Sequence, residues 1–115
     1  MYILSQDGNT LINSNRIVCI NKLEYNGKYT LEAVIDIGCE AKSTTYCVDI
    51  ASYDTELECQ AVFEIISARM AETSSGLVMS INHRRMYYGN TGESYSYDAQ
   101  VKDYINRNKE KKNGN

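Results

Sequence analysis

Proline and tryptophan are absent from this 115-residue chain, and phenylalanine and histidine occur once each. Without proline, turns must be set by glycine, asparagine and aspartate. No run approaches the ~20 apolar residues that a membrane-spanning helix requires. The opening MYILSQDGN has neither the basic start nor the long apolar run of a signal peptide, so the expected location is the cytoplasm. The four cysteines, Cys19, Cys39, Cys47 and Cys59, include no Cys-x-x-Cys pair. Zinc sites are built from such close pairs, so no metal is expected. An even count leaves a disulfide framework open, but the lack of an export signal points to free thiols.

The length suits a single domain, with a core that needs no covalent staple. Ten tyrosines stand against one phenylalanine. Asparagine, isoleucine and tyrosine are frequent together, a compositional bias that accounts for part of the tyrosine. The net charge of −3 is unevenly spread. Residues 1–82 hold five Lys/Arg and eleven Asp/Glu, a net −6, whereas 83–115 hold seven and four, a net +3. An acidic body disfavours general nucleic-acid binding, while the basic end can hold an anion locally.

The clearest element is a helix over Asp54–Glu72. Cys59, Val62, Phe63, Ile66 and Met70 recur at three- and four-residue steps and share one face, flanked by Leu57, Ala61 and Ile65. Core packing is what such a stripe ordinarily serves, and Phe63→Asp is expected to unfold the domain. Asp54 or Thr55 can cap the first turn, and Thr55 with Glu58 fits a reciprocal capping box. Thr73–Gly76 supplies the stop.

Strand signals precede the helix. Tyr2–Ser5 is followed by an Asp7-Gly8 turn, then by Thr10–Asn13 and Arg16–Ile20, the last extending toward Asn26. Asn26-Gly27 is the strongest hairpin signal present. Tyr29–Ile37 alternates, with Tyr29, Leu31, Ala33, Ile35 and Ile37 on one face. After a polar loop at Gly38–Thr44, Thr45–Ser52 places Tyr46, Val48 and Ile50 on one face and Cys47, Asp49 and Ala51 on the other. Leu77–Asn82 reads as a buried strand returning to the sheet. The predicted architecture is α+β: an antiparallel sheet of about five strands packed by the 54–72 helix, plus a hairpin and a second helix over about 98–108. Residues 1–108 form the domain, and 109–115 a frayed polar tail.

The segment His83–Tyr97, HRRMYYGNTGESYSY, carries the candidate binding residues Arg84, Arg85, Tyr87, Tyr88, Asn90, Tyr95 and Tyr97. Arginine offers planar recognition of phosphate or carboxylate. Tyrosine offers wide contact area at small entropic cost. Gly89 and Gly92 permit close backbone approach. Two readings stand: a binding arm, or a hairpin whose tyrosines pack on the second helix. His83, with Ser80 or Asp98 nearby in sequence, matches no known triad spacing. Gly89–Gly92 lacks the Gly-Lys-Ser/Thr ending of a phosphate loop. No catalytic residue and no cofactor is expected.

The opening MYILSQDGNTLINSNRIVCI, the strand TLEAVIDI and the join SYDTELECQAVFEII together resemble a group of small proteins of Firmicutes and their phages. The resemblance covers about residues 1–82. It implies a compact antiparallel sheet packed by one helix, similar in outline to pleckstrin-homology-like domains, and it brings no catalytic residues with it. Small size, the tyrosine-rich arm and this resemblance lead to an expected function. The chain is read as a non-enzymatic, phage- or mobile-element-encoded protein that binds and inhibits a host protein. The alternative is a sponge for a phosphate-bearing, nucleotide-derived ligand, with Arg84 and Arg85 on phosphate and Tyr87 or Tyr88 stacked on a base. Neither reading involves a membrane, and both are compatible with a homo-oligomer.

Overall fold

The computed structural model describes residues 1–38, 44–72 and 76–113, with side chains as far as 109. Residues 39–43 of the predicted Gly38–Thr44 loop, Cys39 among them, and residues 73–75 of the predicted Thr73–Gly76 stop lie outside the described residues. The chain is α+β, with eight strands and two α-helices among the described residues. The strands are β1 (Tyr2–Leu4), β2 (Leu11–Asn13), β3 (Ile17–Tyr25), β4 (Lys28–Asp36), β5 (Thr45–Tyr53), β6 (Leu77–Ser80), β7 (Arg85–Tyr88) and β8 (Ser94–Ser96). Helix α1 is Glu56–Met70, between β5 and β6, and α2 is Asp98–Asn113 at the end. A single 3-10 turn, Ser14–Arg16, joins β2 to β3.

The expected sheet divides in two. One is a meander, β3-β4-β5; the other has the order β2-β1-β6-β7-β8. All neighbours are antiparallel except β1 and β6, which run parallel with Tyr2 opposite Val78. A parallel neighbour requires a long crossover, and here it comprises the whole meander and α1. Three-residue strands carry too few positions for alternation to reveal this partner.

The meander follows its sequence closely. Asn26 and Gly27 both have positive φ (51° and 77°), as a two-residue type I′ turn demands. Leu31, Ala33 and Ile35 of β4 are buried, Tyr29 is half-buried, and Ile37 lies exposed past the strand end. In β5 one expectation is corrected. The register steps from Leu31↔Ala51 to Glu32↔Asp49, so Ile50 is an extra, bulged residue. A bulge shifts the alternation by one position, and Ala51 and Tyr53 therefore turn into the core alongside Ile50.

Helix α1 begins as expected: the Thr55 side chain accepts a hydrogen bond from the Glu58 N–H at 3.2 Å. The Glu58 carboxylate pairs with Arg84, a partner outside the helix. Cys59, Ala61, Val62 and Ile66 are fully buried, while Phe63 and Met70 are half-buried. The buried centre of α1 is thus Val62 and Ile66, because the helix meets the meander on one side and α2 on another. Helix α2 runs to Asn113, past the expected end at 108.

Both sheets and both helices share one core. From the five-stranded sheet it receives the row Ile12–Ile3–Met79–Met86, set by the registers of β2, β1, β6 and β7. Tyr97 and Val101 close it from the start of α2.

Candidate functional site

The His83–Tyr97 segment is woven into the five-stranded sheet as β7 and β8. Its residues go three ways: into the core, into a clamp between elements, and onto the outer face of the sheet.

Tyr97 and Met86 are core residues. The Tyr97 hydroxyl donates to the Ser80 carbonyl at 2.9 Å, and burial pushes its phenol well above the usual range. Gly89 donates its N–H to the Gly76 carbonyl at 2.9 Å, and a Cβ on Gly89 would sit 3.2 Å from that oxygen. This backbone crossing explains the glycine without a partner. Asn90 lies exposed in the same turn, beside Gly76. Tyr88 and Tyr95 stack on each other, ring centroids 5.4 Å apart, with their hydroxyls hydrogen-bonded.

Arg84 is the clamp. It has φ of 50°, a left-handed conformation unusual for a side-chain-bearing residue. Its guanidinium reaches Asp98 Oδ1 at 2.7 Å and Glu58 Oε2 at 3.3 Å, joining the first turns of both helices to the start of β7. Burial disfavours the charge, but the two carboxylates outweigh it and raise the Arg84 pKa. Asp98 is held below the ordinary carboxylate range by Lys102, at 2.9 Å, and by Arg84.

Arg85 and Tyr87 point to the outer face, opposite in parity to buried Met86. Arg85 Nη2 donates to Ser94 Oγ at 3.0 Å. By register, one outer row runs Asn13–Tyr2–Val78–Tyr87–Ser94, and the next runs Leu11–Leu4–Ser80–Arg85–Ser96. Tyr2 is 42%, Leu11 57% and Tyr87 39% exposed, with Leu4 and Val78 half-buried between them. Tyr2 and Tyr87 stand two strands apart, about 10 Å. A phenol, aliphatic groups and a guanidinium thus share one face of the sheet. The sequence reading missed Tyr2, Leu4, Leu11 and Val78. Their signal was the alternation around Ile3 and Ile12, legible once β1 is placed between β2 and β6.

Among the described residues no triad forms around His83. Its side chain is exposed, and its backbone N–H donates to Ser80 Oγ at 3.1 Å. Ser80 is buried, and the Asp98 carboxylate is engaged by Arg84 and Lys102. Among the described residues there is no cluster of three metal-ligating side chains, and no helix long and apolar enough to cross a membrane. A groove of about 360 Å³ lies between α1 and α2, floored by Ala61, Ile65 and Tyr104. The cations on its rim are already paired, Arg69 with Glu72 at 2.7 Å and Arg107 with Asp103 at 3.0 Å. The chain matches no protein-family model, no curated protein and no solved structure.

Proposed function

We propose that this chain is a non-catalytic binding protein that docks a protein partner on the outer face of its five-stranded sheet. The observation that carries the reading is the cluster of Tyr2, Leu11 and Tyr87, exposed together around Leu4 and Val78, with Arg85 beside them. Aromatic residues and arginine on a partly apolar face are the chemistry of protein interfaces. In this reading Tyr87 and Arg85 contact the partner.

Capture of a phosphate-bearing small ligand is the weaker reading. The Arg84 guanidinium is engaged by Glu58 and Asp98, and Tyr88 is stacked on Tyr95. Neither is poised for a phosphate or a base. That the partner is a host factor, and that binding inhibits it, rests on the resemblance to phage proteins.

The test is affinity capture from host extract with the parent chain and with a Tyr2→Lys/Tyr87→Lys variant, followed by titration with the purified candidate. A partner held by the parent and weakened at least roughly tenfold by the variant supports the face, since two interface aromatics each contribute on the order of 1–2 kcal/mol. Equal binding by both chains overturns the site. Turnover of any substrate by the purified chain overturns the non-catalytic reading.

A further inference from the structure

The meander leaves one long edge uncovered, and it is independent of the face just described. The other edges are short or partly occupied. β2 and β8 have three residues each. β5 is met by Gln6, whose N–H donates to the Ile50 carbonyl at 2.8 Å and whose side-chain oxygen accepts from the Ser52 N–H at 2.8 Å. β3 has nine residues, and beyond β4 no backbone hydrogen bond reaches its Ile20, Lys22 or Glu24 among the described residues. The two-residue turn makes Tyr25↔Lys28 a hydrogen-bonded pair, and alternation assigns Leu23, Asn21 and Cys19 to the same class. Ile20, Lys22 and Glu24 therefore aim their N–H and C=O groups at the open side.

Such an edge is a template for another strand. Its side chains are unusually apolar for one left in water: Val18 is 62%, Leu23 43% and Tyr25 73% exposed. We propose that two copies of this chain join along β3, antiparallel, about a twofold axis at Leu23, making one six-stranded sheet.

Charge selects that register. An axis at Lys22 sets lysine against lysine, and one at Glu24 sets glutamate against glutamate; like charges directly opposite are destabilising. An axis at Asn21 carries the ladder into the bulge at Val18, where the register of β3 already breaks. With the axis at Leu23, Lys22 faces Glu24 of the second copy twice over. Glu24 has no ion pair within its own chain among the described residues, whereas Lys22 already leans on Glu56 at 3.3 Å and Gln60 at 2.6 Å. Leu23 then meets its own copy, and Tyr25 crosses Asn21 to cover it. Helix α1 packs on β4 and β5 more than on β3. The two copies of α1 are thus held about three strand spacings apart, roughly 14 Å, beyond the 8–10 Å of packed helices.

Sedimentation velocity and directed cross-linking test this. The parent chain is expected to form a concentration-dependent dimer. Glu24→Pro removes an outward N–H while leaving the β3–β4 bonds intact, and by symmetry two bonds are lost. The dimer is expected to weaken roughly tenfold to a hundredfold. With Cys19, Cys39 and Cys47 replaced by serine, Leu23→Cys stands opposite itself in a non-hydrogen-bonded pair, the closest cross-strand geometry. It is expected to cross-link on mild oxidation, and so is a mixture of Asn21→Cys with Tyr25→Cys chains. Asn21→Cys alone is not. A parent chain that stays monomeric to the highest soluble concentration overturns the proposal. So does Asn21→Cys linking to itself as readily as Leu23→Cys. These variants leave Tyr2 and Tyr87 untouched, so this result and that of the partner capture fail or succeed separately.

Discussion

The two sheets are built by different means from the same chain. In the meander, every pairing joins strands that follow one another, the first pair through an Asn-Gly turn and the second across a longer stretch of sequence. In the five-stranded sheet, Tyr2 must find Val78 across the meander and α1. Local pairing reads directly from alternation and turn chemistry. Distant pairing depends on a shared core centred on α1: its Val62 and Ile66 are buried, and residues of both sheets join them in one cluster. The difference also separates the surfaces. The meander projects a long free edge, whereas the five-stranded sheet offers a face.

The comparison breaks most completely if the shared core is lost. Ile66→Asp buries an unpaired carboxylate among both sheets and is expected to abolish folding, with loss of both the helical and the strand signal in far-ultraviolet circular dichroism. Retention of the meander's signal would make it an independent unit. Tyr97→Ala strikes the five-stranded sheet and the start of α2. It is expected to cost about 3–5 kcal/mol in urea unfolding, whereas Tyr97→Phe, which loses only the bond to Ser80, costs about 1 kcal/mol.

Arg84 sharpens the comparison, because it ties the start of β7 to both helices. Arg84→Ala loses two ion pairs and keeps the left-handed backbone; Arg84→Gly loses the same pairs and relieves the strain. The glycine variant is expected to be the more stable by about 1 kcal/mol, measured by thermal unfolding. On the meander side, Gly27→Ala places a Cβ at φ of 77° and is expected to cost about 1 kcal/mol, with the loss confined to hairpin amides in hydrogen exchange.

The smallest effect is with acid. The folded-state pKa of Asp98 is lowered by Lys102 and Arg84, so its contribution is present above the unfolded value near 4 and is lost as pH falls through the lowered folded value. Asp98→Asn is expected to flatten the pH dependence of stability below about pH 4. Because the carboxylate is partly exposed, solvent screening keeps the change small.

Much of the fold was legible. The Thr55 cap, the α1 stripe, the Asn26-Gly27 turn and the buried face of β4 each follow from a local rule that tertiary contacts reinforce. The bulge at Ile50 was not, because an extra residue leaves no mark in an alternating pattern. The choice of Val62 and Ile66 over Phe63 as the centre of α1 needed α2 in place. The His83–Tyr97 segment was recognised as distinctive, but its composition did not reveal how its residues divide: Tyr97 to the core, Arg84 to the clamp, Tyr87 and Arg85 to the outer face.

The sequence alone determined which segments become helix or strand and where the tight turn falls, because these depend on side-chain period and backbone φ within a few residues. Tertiary structure decided which strands become neighbours across the chain, and so which tyrosines and arginines meet water. That choice depends on burying one shared core, and residues far apart in sequence settle it together.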